Sequence, residues 1–102
     1  MTRLAPLTEK AFLQTVREHV SALGYLEYHT HDSRHSTEGF PDIVALRGKR
    51  GVVLELKIHP VTQERGRPTP EQRKWLEAFD AVGLESYVVR PDTLDGLVEV
   101  LA

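Results

Sequence analysis

Apolar side chains at Ala11, Phe12, Val16, Val20 and Leu23 recur at helical spacing, which predicts an amphipathic helix over residues 8–23. Thr8 stands at its N-cap, and Gly24 supplies a left-handed stop. Residues 25–30 are short, aromatic and β-branched, as a strand requires, and the polar run 31–40 reads as a loop. Residues 42–47 and 51–57 are rich in Val, Ile and Leu around Gly48-Lys49-Arg50, the pattern of a β-hairpin. Residues 59–68 are polar and contain Gly66 and Pro68, so they read as a mobile loop. A second helix then opens on Thr69 as N-cap, with Pro70 at the first helical position and Gln72 completing a capping box. Trp75, Leu76, Phe79 and Val82 form its expected buried stripe, with Trp75 read as core, and Gly83 ends it. Residues 86–90 predict a fourth strand, and Asp92 is placed to cap a short final helix ending near Leu101. The expected order is α-β-β-β-α-β-α.

The 102 residues, 40% apolar and 27% charged, read as a single compact soluble domain over residues 1–102. With no cysteine, a disulfide framework, a thiolate zinc site and a cysteine nucleophile are excluded together. No signal-peptide run or membrane-length apolar stretch is expected, so the reading is intracellular, with no membrane partner. Net charge is only −2, yet it is unevenly spread. Between Arg47 and Lys74 eight basic residues face three acidic ones, whereas from Trp75 onward acids exceed bases by five. A basic middle segment can follow a phosphate backbone, although a solvated surface has the same composition.

The hairpin brings chemistry together. A two-residue turn at Gly48-Lys49, with glycine first as a type II′ turn prefers, pairs Arg47 with Arg50 and puts Asp42 opposite Glu55. Opposed residues share a face with β-carbons about 4.5 to 5.5 Å apart, and Lys57, two residues on, belongs to the same face. Like charges so placed destabilise a sheet, and Glu55 sits among Val53, Leu54 and Leu56, where an uncompensated carboxylate is expensive. Lys57 offers part of the compensation. Two carboxylates converging with backbone carbonyls also make a hard oxygen site for Mg²⁺ or Mn²⁺, which points to phosphodiester hydrolysis.

Phe40-Pro41-Asp42 followed by Gly51-Val52-Val53-Leu54-Glu55-Leu56-Lys57 resembles the PD-(D/E)xK nuclease signature. The wider order is a helix with an early Glu, a loop with His and Arg, the signature hairpin, a Gln-led helix, Gly83 and a strand. It resembles the VRR-NUC (virus-type replication-repair nuclease) branch over nearly the whole chain. The resemblance implies an α/β fold with a PD-(D/E)xK restriction-endonuclease-like core, a mixed central sheet flanked by helices. It implies that Asp42 and Glu55 bind the metal, that Glu9 completes the metal site, that Lys57 is the catalytic lysine, and that Gln72 lies near the active-site face. It further implies a divalent-metal-dependent DNA endonuclease, with stand-alone members associated with homodimers acting on branched DNA such as four-way junctions. The setting implied is replication, recombination or repair in the cytoplasm of a bacterial or phage-infected cell.

Each assignment has a plainer alternative. Asp42 could merely start a strand, and Glu55 with Lys57 could be an exposed ion pair. An acid in a first helical turn, like Glu9, is favoured by the helix dipole, and Gln72 is accounted for by its capping box. His29, His31 and His35 admit an imidazole metal site, but no further ligand accompanies them, and a loop near the mouth of the site is preferred. There His31 and Arg34, with Arg65 and Arg67 from the following loop, are candidate contacts to DNA phosphates. The alternative functions are a nuclease-like module that binds DNA or protein without turnover, and a flap- or exonuclease-type member of the same superfamily.

Overall fold

The computed structural model describes residues 7–31 and 36–102. Thr8 starts the first helix as expected: its hydroxyl accepts from the Ala11 amide at 3.0 Å, and α1 runs Glu9–Ala22. The chain continues as β1 (Leu26–His29), β2 (Ile43–Arg47) and β3 (Arg50–Leu56). After a 3₁₀ turn at Glu64–Gly66 come α2 (Pro70–Ala81) and β4 (Glu85–Val89), then a second 3₁₀ turn at Pro91–Thr93 and α3 (Leu94–Leu101). The strands form one sheet in the order β1-β2-β3-β4. The first three are antiparallel and β4 joins β3 in parallel, with α2 as the crossover. This is the mixed α/β sheet with flanking helices that the resemblance implies, in the element order that the sequence pattern predicts.

Alternation along the strands decides the layers. Ile43 and Ala45 of β2 and Val52 and Leu54 of β3 are buried with Phe12, Val16 and Val20 of α1 and Leu97 and Leu101 of α3. Central strand β3 is also buried on its other face, through Val53 and Glu55. Over that face α2 lies against β3 and β4. Directed bonds fix the arrangement. The Tyr25 hydroxyl donates to the Leu101 carbonyl at 3.0 Å, and Arg17 grips Glu27 of β1 with two nitrogens. Arg50 does the same to Glu85, pinning the parallel pair at its start; the Arg50 guanidinium and the Tyr87 hydroxyl hold the Glu85 carboxyl down to about 2.

Three local expectations are corrected. Val82 is 73% exposed because α2 has already ended at Ala81, and Trp75 and Phe79 are half-buried, leaving Leu76 as the buried residue of that helix. Trp75 packs with Phe40 and Phe79 at ring separations of 5.1 and 6.0 Å, and its indole N–H donates to the Glu38 carbonyl. It therefore buttresses the segment leading into Asp42 instead of filling the main core. Asp92 does not cap α3; it lies inside the 3₁₀ turn, where the Thr93 hydroxyl accepts from the Arg90 amide at 2.9 Å. Residues 59–68 form the expected loop, which closes around the Glu64–Gly66 turn with Gly66 buried. Among the described residues no helix is long and apolar enough to cross a membrane.

Gly39 shows how closely this frame is built. Its φ is +81°, and a β-carbon there would stand 2.5 Å from the Glu71 carbonyl carbon at the start of α2. Gly96, inside α3, has open space around it. Gly39→Ala is expected to lower stability by about 2 kcal/mol or more, and Gly96→Ala to raise it by about 0.5–1 kcal/mol, as read from denaturant midpoints at constant m-value.

Candidate active site

The hairpin has the register expected from its turn, with Arg47 opposite Arg50 and Ile43 opposite Leu54. Gly48 has φ +59°, and no other turn residue has positive φ, as a type II′ connection requires. One step beyond the last paired residues, Asp42 meets Glu55. The two are held differently. Asp42 Oδ2 accepts from the Leu56 amide at 2.7 Å, while its own carbonyl receives the Thr30 amide at 3.0 Å. Glu55 is 3% exposed. Its Oε1 receives the Gln72 side-chain amide at 3.0 Å, and its buried Oε2 receives no donor.

Gln72 therefore has two tasks. Its Oε1 accepts from the Thr69 amide at 2.9 Å, closing the capping box, and its Nε2 reaches across to Glu55. The box that starts α2 thus also aims a donor at the buried carboxylate.

Burial is the main influence on both acids. It raises the Asp42 carboxyl against the opposing pull of the Leu56 amide, and it raises Glu55, with the charge of Asp42 adding to it, to about 9. The nearby Lys57 charge lowers both, though by less. Both shifts favour the protonated form of the pair.

These residues line a cleft of about 680 Å³. Glu9, Asp42, Glu55, Lys57 and Gln72 all face it, as do His29, His31 and Arg65. The cleft gathers residues from α1 and α2, from the strands and from the 59–68 loop. Glu9 lies close enough for its charge to raise Asp42, yet no three carboxylates or imidazoles among the described residues stand at metal-holding spacing. Arg67 is exposed and does not line the cleft, while Arg34 and His35 lie outside the described residues. The His29 and His31 rings meet at a tilt of 51° with centroids 4.1 Å apart, and burial lowers the His29 imidazole. The sequence reading did not single out Lys10, Thr30 or His59, which also line the cleft. His59 continues the alternation of Glu55 and Lys57 beyond the strand, a signal available in the sequence.

The donor set fits a hard divalent cation. An orphaned carboxylate oxygen, buried and facing a second carboxylate, is what such an ion would neutralise.

No family model matches this chain, and no curated protein matches it. Solved structures do. One described as "VRR_NUC domain" is 26% identical, with a TM-score of 0.67, covering 91% of this chain and 97% of that one. Another, "VRR_NUC domain protein", is 21% identical with a TM-score of 0.62, over 96% of this chain and 88% of the other. The chain has the VRR-NUC fold. Within that fold, the Pro41-Asp42 and Glu55-Leu56-Lys57 segments meet at one end of the β2–β3 hairpin, which is why the acids are adjacent although thirteen positions separate them.

A buried acid with a raised pKa binds a proton in the folded state that the unfolded chain has released. Stability of the metal-free VRR-NUC fold should therefore fall as pH rises from 4.5 towards about 9. Glu55→Gln removes that slope and stabilises the metal-free protein near neutral pH by on the order of 1–3 kcal/mol. Thermal unfolding in EDTA across this range measures both.

Proposed function

We propose that this chain is a divalent-metal-dependent nuclease that hydrolyses phosphodiester bonds in DNA, with Asp42 and Glu55 as the residues that hold Mg²⁺ or Mn²⁺. The observation that carries this reading is the buried Glu55 Oε2, without a donor and opposite Asp42, in a cleft that also contains Lys57. The likeness to solved structures described as VRR_NUC domains supports the same reaction class. Glu9, on the first turn of α1, faces the pair and would complete the ion's surroundings.

A bound cation supplies charge neutralisation at the scissile phosphate and a more acidic water. The chain's own residues do the rest. Lys57 places an ammonium where negative charge grows on the phosphate oxygens and where an attacking water can be oriented. Gln72 keeps the Glu55 carboxyl in a fixed orientation, so that Oε2 is left for the ion. His31 and Arg65, which both line the cleft, meet the flanking backbone, with Arg34 and Arg67 as further phosphate contacts. The substrate is branched DNA such as a four-way junction, and a homodimer provides two sites related by a two-fold axis for cutting two strands.

Cleavage of a labelled panel comprising a four-way junction, a flap, a nicked duplex, a linear duplex and a single strand tests this. Cutting is expected with Mg²⁺ or Mn²⁺ and none with EDTA. Asp42→Asn and Lys57→Ala should remain folded and lose at least about 10²-fold in rate. Variants that cut like the parent overturn the site, and a folded parent that binds metal but cuts nothing favours the binding module.

A further inference from the structure

Arg90 follows β4 directly and is half-buried. Its backbone amide donates to Thr93 Oγ1 in the turn that leads into α3, so its position is tied to the main core through Leu97 and Leu101. Its side chain does something else. Both Nε and Nη2 donate to the Gly66 carbonyl, 24 residues earlier in the chain. At the receiving end, Gly66 is buried, and a β-carbon there would stand 1.9 Å from the Pro60 carbonyl oxygen and 2.5 Å from that of His59. Only glycine lets this turn close.

The turn is also bonded internally, by Gln63 N–H to the Pro60 carbonyl at 3.0 Å, Gly66 N–H to Gln63 at 2.9 Å and Arg67 N–H to Glu64 at 3.1 Å. The adjacent residue, Arg65, lines the cleft. A cation held ready beside the cleft loses less conformational freedom on meeting an anion than one on a free loop.

We propose that Arg90 is a positioning residue for DNA: by holding the Gly66 carbonyl it sets the 59–67 loop so that Arg65 stands at the cleft as a preformed phosphate contact. This rests on reading the cleft as a site for the DNA backbone.

The test is binding of a labelled four-way junction by the full chain in EDTA, from about 50 to about 200 mM salt, so that no cleavage is needed. One lost phosphate contact lowers the salt slope by about 0.9, so the affinity deficit of Arg65→Ala should be about 3.5-fold larger at the low-salt end than at the high-salt end. Arg90→Lys keeps the charge but not the two-pronged bond, and it should reproduce that change in slope. In the Arg65→Ala background it should add nothing, because the contact it positions is already gone. Gly66→Ala, which attacks the same contact from the other side, should behave like Arg90→Lys.

Circular dichroism confirms that each variant is folded, and the change in salt slope is a readout that a purely structural role would not move. If Arg65→Ala alters the slope while folded Arg90→Lys binds like the parent, or if their effects add, the positioning role is overturned and the DNA reading stands. If Arg65→Ala binds like the parent although the parent cuts DNA, the loop proposal alone fails. A parent that neither binds nor cuts overturns both.

Discussion

A two-residue turn at Gly48-Lys49 decides which residue of β2 meets which residue of β3, and the rest of the candidate site follows from that pairing. With Arg47 opposite Arg50, the ladder ends at Ile43 and Leu54, and the next pair is Asp42 with Glu55. A slip of one residue would turn Glu55 into the apolar layer under α1 and α3 and put Leu54 or Leu56 in its place. The buried sets on the two faces of β3 make that slip costly. Val52 and Leu54 belong to one packed layer and Val53 and Glu55 to the other, so each side of the strand enforces the same register.

The pairing concentrates negative charge where the fold least tolerates it. Glu55 is surrounded by packed strands, its Oε2 has no donor, and Asp42 adds a like charge. The fold supplies only partial relief through the Gln72 amide and the charge of Lys57. A stably folded chain that keeps such a group is storing an electrostatic demand at one end of its sheet. The surrounding structure is correspondingly well braced. Phe40, Trp75 and Phe79 pack the segment before Asp42 against α2, and Gly39 allows its backbone to approach that helix. Asp42 thus enters the site from a supported turn instead of a free loop.

The cleft extends the same logic outward. Glu9 and Lys10 come from the first turn of α1, His29 from the end of β1 with His31 two residues beyond it, and Arg65 from the turn held by Arg90. Except for His31, each is carried by an element whose own position is fixed by the core or by directed hydrogen bonds. Glu55 is buried, whereas Lys10, His31 and Arg65, which line the same cleft, are exposed.

Much of this was legible in the residues because local rules govern it. Helical spacing from Phe12 to Val20 marked α1, the Thr69–Gln72 box marked the start of α2, and glycine before lysine at 48 and 49 set the hairpin turn and with it the Asp42–Glu55 pair. The sequence could not show that the Gln72 amide would use its second end on Glu55, or that Arg90 would reach Gly66, because both contacts join segments whose proximity only packing creates. It also misjudged Val82, whose place on the stripe assumed a helix one residue longer than α2 proves to be. Periodicity and turn chemistry act over a few residues and so can be read along the chain. Burial, and with it the raised proton affinity of Glu55, depends on how whole layers close over a strand, and tertiary structure alone decides that.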